Sequence, residues 1–198
     1  MLTLIIGGAR SGKSGLAQRL AEATGRDVLF LATMQPLDDE LRARVEAHRA
    51  DRPPHWRTVE EPRDVLRALR DHARPGHAVV VDCATLWISN LLIDALGDAS
   101  AATATQLDAA VADAVATADA LAVWAEGFDG RVFIVSNEVG AGVVPPYPLG
   151  RAFRDALGGA NHALACRAAH VHAAVAGLVV DLRALGALPI EAFLEGPP

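Results

Sequence analysis

The sequence predicts an α/β fold built on a mostly parallel sheet with helices on both faces. Short, uniformly apolar runs alternate along the chain with longer segments whose apolar residues recur every three or four positions. This alternation is typical of parallel strands joined by helices. The first apolar run also leads directly into a glycine-rich loop and a helix, which is the unit that begins phosphate-binding α/β domains.

That loop has the G-x-x-x-x-G-K-[ST] pattern of a phosphate loop, and its residues are Gly7, Gly8, Ala9, Arg10, Ser11, Gly12, Lys13 and Ser14. Its glycines let the backbone approach a phosphate closely, and the helix that follows aims its first N–H groups at the same point. Lys13 adds a positive charge, and Ser14 is positioned to hold Mg²⁺. We therefore predict a P-loop nucleotide site; the alternative is a glycine-rich turn that binds nothing.

Composition supports a special role for Lys13. Of the 18 basic residues, 17 are arginine, and Lys13 is the only lysine. A chain that uses arginine at every other basic position but lysine here is consistent with a need for a compact ammonium group on a flexible stem.

The remaining strands are predicted at residues 27–33, 77–82, 131–136, 171–176 and 178–182, while residues 55–60 fit either a strand or an extended loop. Helices are predicted to begin at Asp38, at Pro62 and at Ala84. Residues 97–105 are predicted to form a surface loop that precedes another helix. A long helix is expected from about Leu149 to His170.

Acidic and amide residues follow two of these strands. Asp82 ends an apolar run in the Walker B pattern, which would bring its carboxylate to the magnesium ion beside Ser14. The alternative is that Asp82 caps the helix beginning at Ala84. Asn137 and Glu138 reach the same edge of the sheet, where Glu138 either serves function or orders the loop at residues 140–148.

Length and charge exclude several classes of protein. The 198 residues suffice for one domain, which we expect to span 1–198. Uncharged runs are too short for a membrane span, and the start lacks the charged region of a signal peptide, so we expect a cytoplasmic protein. Cys83 and Cys166 fit buried thiols in a reducing compartment. A net charge of −6 argues against nucleic acid as a partner.

Several separate motifs, in order along residues 2 to about 183, resemble the bifunctional adenosylcobinamide kinase/adenosylcobinamide-phosphate guanylyltransferase family of cobalamin biosynthesis. They are the phosphate loop, Ala32-Thr33, Asp38-Asp39-Glu40, Arg44 with His48-Arg49, the run from Arg52 to Thr58, Asn90-Leu91-Leu92, and Asn137-Glu138-Val139-Gly140.

The resemblance implies a RecA-like sheet, a propeller-shaped homotrimer and two successive reactions. In the first, ATP or GTP phosphorylates the aminopropanol hydroxyl of adenosylcobinamide. In the second, GTP gives its GMP to the resulting adenosylcobinamide phosphate through a covalent histidine intermediate, with release of pyrophosphate. Mg²⁺ would accompany the nucleotides.

The same resemblance implies roles for individual residues. His48 is the nucleophile; some relatives have a second histidine where this chain has Ala47, and His55 is the backup candidate. From the residues alone, His48 reads as a solvated side chain near a helix C-terminus. Nucleotide contacts are implied for Gly7, Gly8, Ala9, Arg10, Ser11, Gly12, Lys13, Ser14, Ala32, Thr33, Met34, Arg49, Ala50, Asp51, Arg52, Glu60 and Asp82, and magnesium contacts for Ser14 and Asp82.

Two other readings stay open. One is a monofunctional P-loop small-molecule kinase with an inert His48, and the other is a RecA-like nucleotide-binding protein. The sequence leaves open the choice between ATP and GTP for the first step, the number of nucleotide-binding modes and the location of the corrinoid pocket. It also leaves two candidates, Asp82 and Glu138, for the base that accepts the hydroxyl proton.

Overall fold

The computed structural model describes residues 1–35, 52–97 and 101–194. These form a seven-stranded sheet in the order β3-β2-β4-β5-β1-β6-β7. The strands are β1 Leu2–Gly7, β2 Val28–Ala32, β3 Arg57–Glu60, β4 Ala78–Asp82, β5 Arg131–Asn137, β6 His170–Val175 and β7 Leu178–Asp181. Every neighbouring pair is parallel except β6 and β7, which are antiparallel. The predicted α/β class with a mostly parallel sheet is therefore confirmed.

Six helices occur within the described ranges. They are α1 Lys13–Ala23, α2 Val65–His72, α3 Ala84–Leu96, α4 Ala104–Gly127, α5 Pro148–Arg167 and α6 Ile190–Leu194. The helix predicted to begin at Asp38 lies outside the described residues. None of the helices in 1–35, 52–97 and 101–194 is long and apolar enough to cross a bilayer.

Helices cover the two faces of the sheet. On one face, α1 packs Ala17 and Ala21 against Ile5, Phe30 and Val80 of the strands. On the other face, α2 to α5 enclose a larger core that includes Trp87, Leu121 and Leu157. Since β1, β2, β4 and β5 are covered on both sides, their side chains are almost all buried, as the uniformly apolar runs predicted.

Two helix starts differ from the sequence prediction, the strand alternative for residues 55–60 is confirmed over residues 57–60, and one short helix was not predicted. Helix α2 begins at Val65 instead of Pro62, because the Asp64 carboxylate caps it by accepting a hydrogen bond from the Arg67 amide at 3.3 Å. Helix α4 begins inside the predicted loop, where Thr103 and Gln106 form a capping box. Residues 57–60 are a strand, and the short α6 was not predicted.

Helix α5 ends at Arg167, three residues before the predicted limit at His170. His170 instead pairs with Thr3 of β1, and the Ala169 amide donates to the Leu2 carbonyl at 3.0 Å. Periodicity in the alanine-rich sequence continues past Arg167, so only the pairing of strands fixes the boundary.

Gly7 is where the central strand meets the phosphate loop, and it has no room for a side chain. It lies between Asn137 of β5 and Ala174 of β6, and a Cβ atom built on Gly7 would overlap the Ala174 carbonyl. Gly8, the next residue, has open space at the same position.

We predict that Gly7→Ala lowers the free energy of unfolding by about 1–3 kcal/mol, because the backbone of β6 must move to admit the methyl group. Gly8→Ala is the matched control and should change it by less than about 0.5 kcal/mol. Urea denaturation of both variants measures the difference, and equal stabilities would contradict the packing described for Gly7.

Candidate functional site

The phosphate loop joins the end of β1 to the start of α1. Gly12 is the N-cap residue of α1 and has φ 91°, a conformation that favours glycine. The helix therefore begins directly at the loop and directs its first N–H groups toward the space above the sheet edge. Such a helix start favours the binding of a phosphate group.

The ammonium group of Lys13 is held inside the loop. Lys13 is buried, and its Nζ donates to the Gly8 carbonyl at 2.5 Å and to Ser11 Oγ at 3.3 Å. Burial lowers the pKa of Lys13, while the negative charge of nearby Asp82 opposes that shift. A phosphate oxygen placed here would give the buried cation a direct anionic partner.

The ends of β2 and β4 are joined by the Thr33 side chain. Thr33 Oγ1 donates to the Cys83 carbonyl at 2.7 Å and accepts from the Cys83 amide at 2.9 Å, and the Thr33 amide donates to the Asp82 carbonyl at 3.1 Å. The Asn90 side chain donates to the Thr33 carbonyl at 2.9 Å. These bonds fix the position of Asp82 relative to β2.

The end of β5 is held by a second buried network. Ser136 Oγ donates to Asn161 Oδ1 at 2.5 Å, and Asn161 Nδ2 donates to the Asn137 carbonyl at 3.0 Å. The Asn137 amide donates to Thr85 Oγ1 at 2.7 Å. Neither Asn161 nor Thr85 was predicted from the sequence. Asn161 lies among alanines and leucines on the buried stripe of its helix, and a polar residue in such a stripe is a signal that could have identified it.

An arginine and an aromatic pair close the side of the site next to β2. The Arg52 guanidinium lies over the Phe30 ring, 3.9 Å from its centroid. The Phe30 ring in turn stacks on Trp56 at 6.3 Å between centroids. The cation–π contact places the charge of Arg52 beside the phosphate loop.

These elements enclose a cavity of about 530 Å³ at the carboxyl edge of the sheet. This is within the range of small-molecule and cofactor sites. The predicted site residues that line it are Ala9, Arg10, Ser11, Gly12, Lys13, Ser14, Ala32, Met34, Arg52, Glu60 and Asp82. Gln18, Phe30, Cys83, Leu86, Val135 and Asn137 also contribute to its wall, as does Gly15.

Other predicted residues lie elsewhere. Gly7 ends β1, the Gly8 carbonyl accepts the hydrogen bond from Lys13, and Thr33 is fully buried. His55 is exposed in a turn and does not line the cavity. His48, Arg49, Ala50 and Asp51 lie outside the described residues.

The alternative role of Asp82 as a helix cap is wrong. Cys83, not Asp82, occupies the N-cap position of α3, and Asp82 faces the cavity. Burial beside the Asp82 carboxylate raises the pKa of Cys83 to about 11, so its thiol stays protonated at neutral pH. Glu138 accepts a hydrogen bond from the Gly140 amide at 2.6 Å, which orders the start of the following loop.

Comparison with known proteins gives one consistent result. Residues 3–182 match the family described as cobinamide kinase / cobinamide phosphate guanyltransferase. The chain is 43% identical to the bifunctional adenosylcobalamin biosynthesis protein CobP of Pseudomonas aeruginosa over 183 residues, covering 92% of this chain and 98% of that protein. It is 38% identical to the bifunctional protein CobU of Escherichia coli over 185 residues, covering 92% of this chain and 100% of the relative.

A solved structure from Pyrococcus horikoshii OT3 has a similar fold. It aligns with a TM-score of 0.50 over 91% of this chain and 85% of that chain, at 6% sequence identity. At this identity the likeness concerns the fold alone.

Proposed function

Because the chain belongs to the cobinamide kinase / cobinamide phosphate guanyltransferase family, we propose that it carries out both reactions of that family on adenosylcobinamide. ATP or GTP first phosphorylates the aminopropanol hydroxyl. GTP then transfers GMP to the new phosphate, which yields adenosyl-GDP-cobinamide and pyrophosphate. The observation that supports this most directly is the cavity in which the phosphate loop faces Asp82 across the sheet edge.

In the kinase step, the phosphate loop binds the triphosphate and leaves its γ-phosphoryl group toward the open side of the cavity. The Lys13 ammonium exchanges its contact with the Gly8 carbonyl for phosphate oxygens and neutralises charge as the phosphoryl group moves. The substrate hydroxyl gives its proton to a base, for which Asp82 and Glu138 are the predicted candidates, and its oxygen forms the new P–O bond as the bond to the leaving nucleoside diphosphate breaks. Positioning and charge supply most of the rate acceleration in this class of reaction.

Ser14 and Asp82 are the residues that would hold Mg²⁺. Both line the cavity, and both offer the oxygen ligands that this ion prefers. When bound, the ion neutralises charge on the phosphate oxygens and orients them. The Thr33 bonds to the backbone of Asp82 and Cys83 position the main chain from which the Asp82 carboxylate projects.

In the second step, we assign His48 as the nucleophile. Its neutral imidazole attacks the α-phosphorus of GTP, the bond to pyrophosphate breaks, and a P–N bond forms. The substrate phosphate then attacks the same phosphorus and releases the imidazole. Covalent catalysis thus divides one displacement into two. An ordinary histidine is mostly neutral near pH 7, so this role needs no special pKa.

The residues around the cavity fit a polyphosphate substrate. Arg10, Arg52 and Lys13 bring positive charge to its wall. Arg49, the neighbour of His48, would add to this set. Arginine suits this role because its planar guanidinium can donate two parallel hydrogen bonds to two oxygens of one phosphate group.

We predict that His48→Asn abolishes GMP transfer while keeping a measurable kinase step, because phosphorylation of the hydroxyl needs no covalent intermediate. The measurement is retention of label on the protein from α-labelled GTP, with loss of that label in acid, as expected for a P–N bond. Product analysis after incubation with adenosylcobinamide then reports the two reactions separately.

His55→Asn is the matched control and should keep the labelled adduct, since His55 lies outside the cavity wall. If the label persisted in the His48 variant and vanished in the His55 variant, the assignment of the nucleophile would be wrong. If the wild-type protein took no label, the monofunctional kinase would be the better description.

We also propose that the chain forms a homotrimer, as its family resemblance implies. The β6–β7 hairpin exposes Val175 and Leu178 at 69% and 78%, and the loop before α5 exposes Val143 at 94%. Val175 and Leu178 are paired in the register of the hairpin, and such neighbouring exposed apolar side chains support an interaction surface. Light scattering should give three times the chain mass of 20.7 kDa at micromolar concentration, and a stable monomer would contradict the proposal.

A further inference from the structure

Two histidines and an aspartate form a cluster at the end of the sheet opposite the phosphate loop. His170 and His172 are two positions apart on β6 and therefore point to the same face. His170 pairs with Thr3, near the start of β1, whereas the phosphate loop follows the end of that strand. Asp181 of β7 lies directly opposite His172 in the register.

The three side chains converge on one point. His170 Nδ1 lies 2.7 Å from Asp181 Oδ2, and His172 Nε2 lies 3.6 Å from the same oxygen. The potential ligand atoms of the three residues all lie within 4.8 Å of one another. Ligands of a tetrahedral zinc ion are about 3.3 Å apart, given zinc–nitrogen distances of about 2.0 Å, so small side-chain shifts would accommodate the ion.

Asp181 is oriented by the backbone. Its Oδ1 accepts hydrogen bonds from the Arg183 amide at 3.0 Å and the Val171 amide at 3.4 Å, which leaves Oδ2 directed at the two imidazoles. Such outer bonds orient ligand groups at metal sites.

We propose that His170, His172 and Asp181 bind a divalent transition-metal ion, with Zn²⁺ as the best match to their chemistry. Two imidazole nitrogens and one carboxylate oxygen are borderline ligands that suit zinc. The three residues line a cavity of about 500 Å³, which has room for a fourth ligand and which Arg26, Arg131 and Met1 also line. The positive charge of the two arginines favours water or a small anion as the fourth ligand.

A bound ion would join β6 to β7 at the edge of the sheet. The β7 strand is short and its side chains are largely exposed, so the hairpin has little apolar burial of its own. Because the three ligands come from two strands, binding would stabilise the hairpin by an amount that grows with the logarithm of the free ion concentration divided by the Kd.

A second group, His162, Cys166 and Glu191, also has ligand atoms close together but is a weaker candidate. The His162 and Glu191 side chains are 50% and 69% exposed, compared with 43%, 17% and 19% for His170, His172 and Asp181. Burial raises the pKa of Cys166, which disfavours the thiolate that zinc would need. This group therefore provides the control for the experiment.

The test is a calorimetric titration of the full chain with Zn²⁺, without nucleotide and in excess Mg²⁺ so that the phosphate-loop site does not compete. We expect one Zn²⁺ per chain in the wild type. His172→Gln and Asp181→Asn should each weaken binding by about 100-fold, while His162→Gln should leave it unchanged. Absorption of Co²⁺ used in place of Zn²⁺ should show the intense visible bands of a four-coordinate site in the wild type and not in the His172 variant.

Thermal denaturation with and without Zn²⁺ gives an independent readout. The ion should raise the melting temperature of the wild type and of the His162 variant, but not that of the Asp181 variant, whose side chain keeps its size. No Zn²⁺ binding at micromolar concentration would overturn the proposal. So would binding that survives His172→Gln and Asp181→Asn or is lost in His162→Gln.

Discussion

The close packing of β1 between β5 and β6 determines where the phosphate loop can lie. At Gly7 the strand is so tightly enclosed that a methyl group would overlap the Ala174 carbonyl, and the chain leaves the sheet at that point. The loop and α1 then have a fixed starting position on the sheet edge. The Lys13 ammonium, buried against the Gly8 carbonyl, is placed by this geometry before any nucleotide binds.

Buried polar networks then fix the neighbouring strand ends. Thr33 bonds to both backbone groups of Cys83, and Asn161 links Ser136 to Asn137. Leaving a buried polar group without a partner costs about 1–3 kcal/mol, so these bonds favour a single arrangement of the edge. Asp82 and Asn137 consequently face the cavity from a rigid framework, which suits a site that must position phosphate groups.

Much of the fold could be predicted from the sequence, because parallel strands covered on both faces have a clear apolar signal and the phosphate loop has a fixed spacing. Helix boundaries that depend on tertiary contacts were harder to predict from the sequence. The helix α5 ends at Arg167 because His170 pairs with β1. The late start of α2 has a local cause, the cap that Asp64 provides, so that boundary was open to prediction from the sequence. In the site, the sequence identified the lining residues Lys13 and Asp82, but long-range supports such as Asn161 carry no local motif. The assignment of His48 depends on family resemblance, since that segment lies outside the described residues.

The proposed function depends on the binding of a nucleoside triphosphate in the cavity at the sheet edge, in contact with Lys13. Because Lys13 is the only lysine of the chain, this binding can be tested directly. An amine-selective reagent is applied to the full chain with and without saturating Mg-GTP, and mass spectrometry follows the peptide that contains Lys13. A ligand at 100 times its Kd should slow this modification about 100-fold, because it occupies nearly every site. The amino terminus, which donates to the Gly130 carbonyl away from the phosphate loop, serves as the internal reference and should react at an unchanged rate. Modification of Lys13 at the same rate in both conditions would contradict the account.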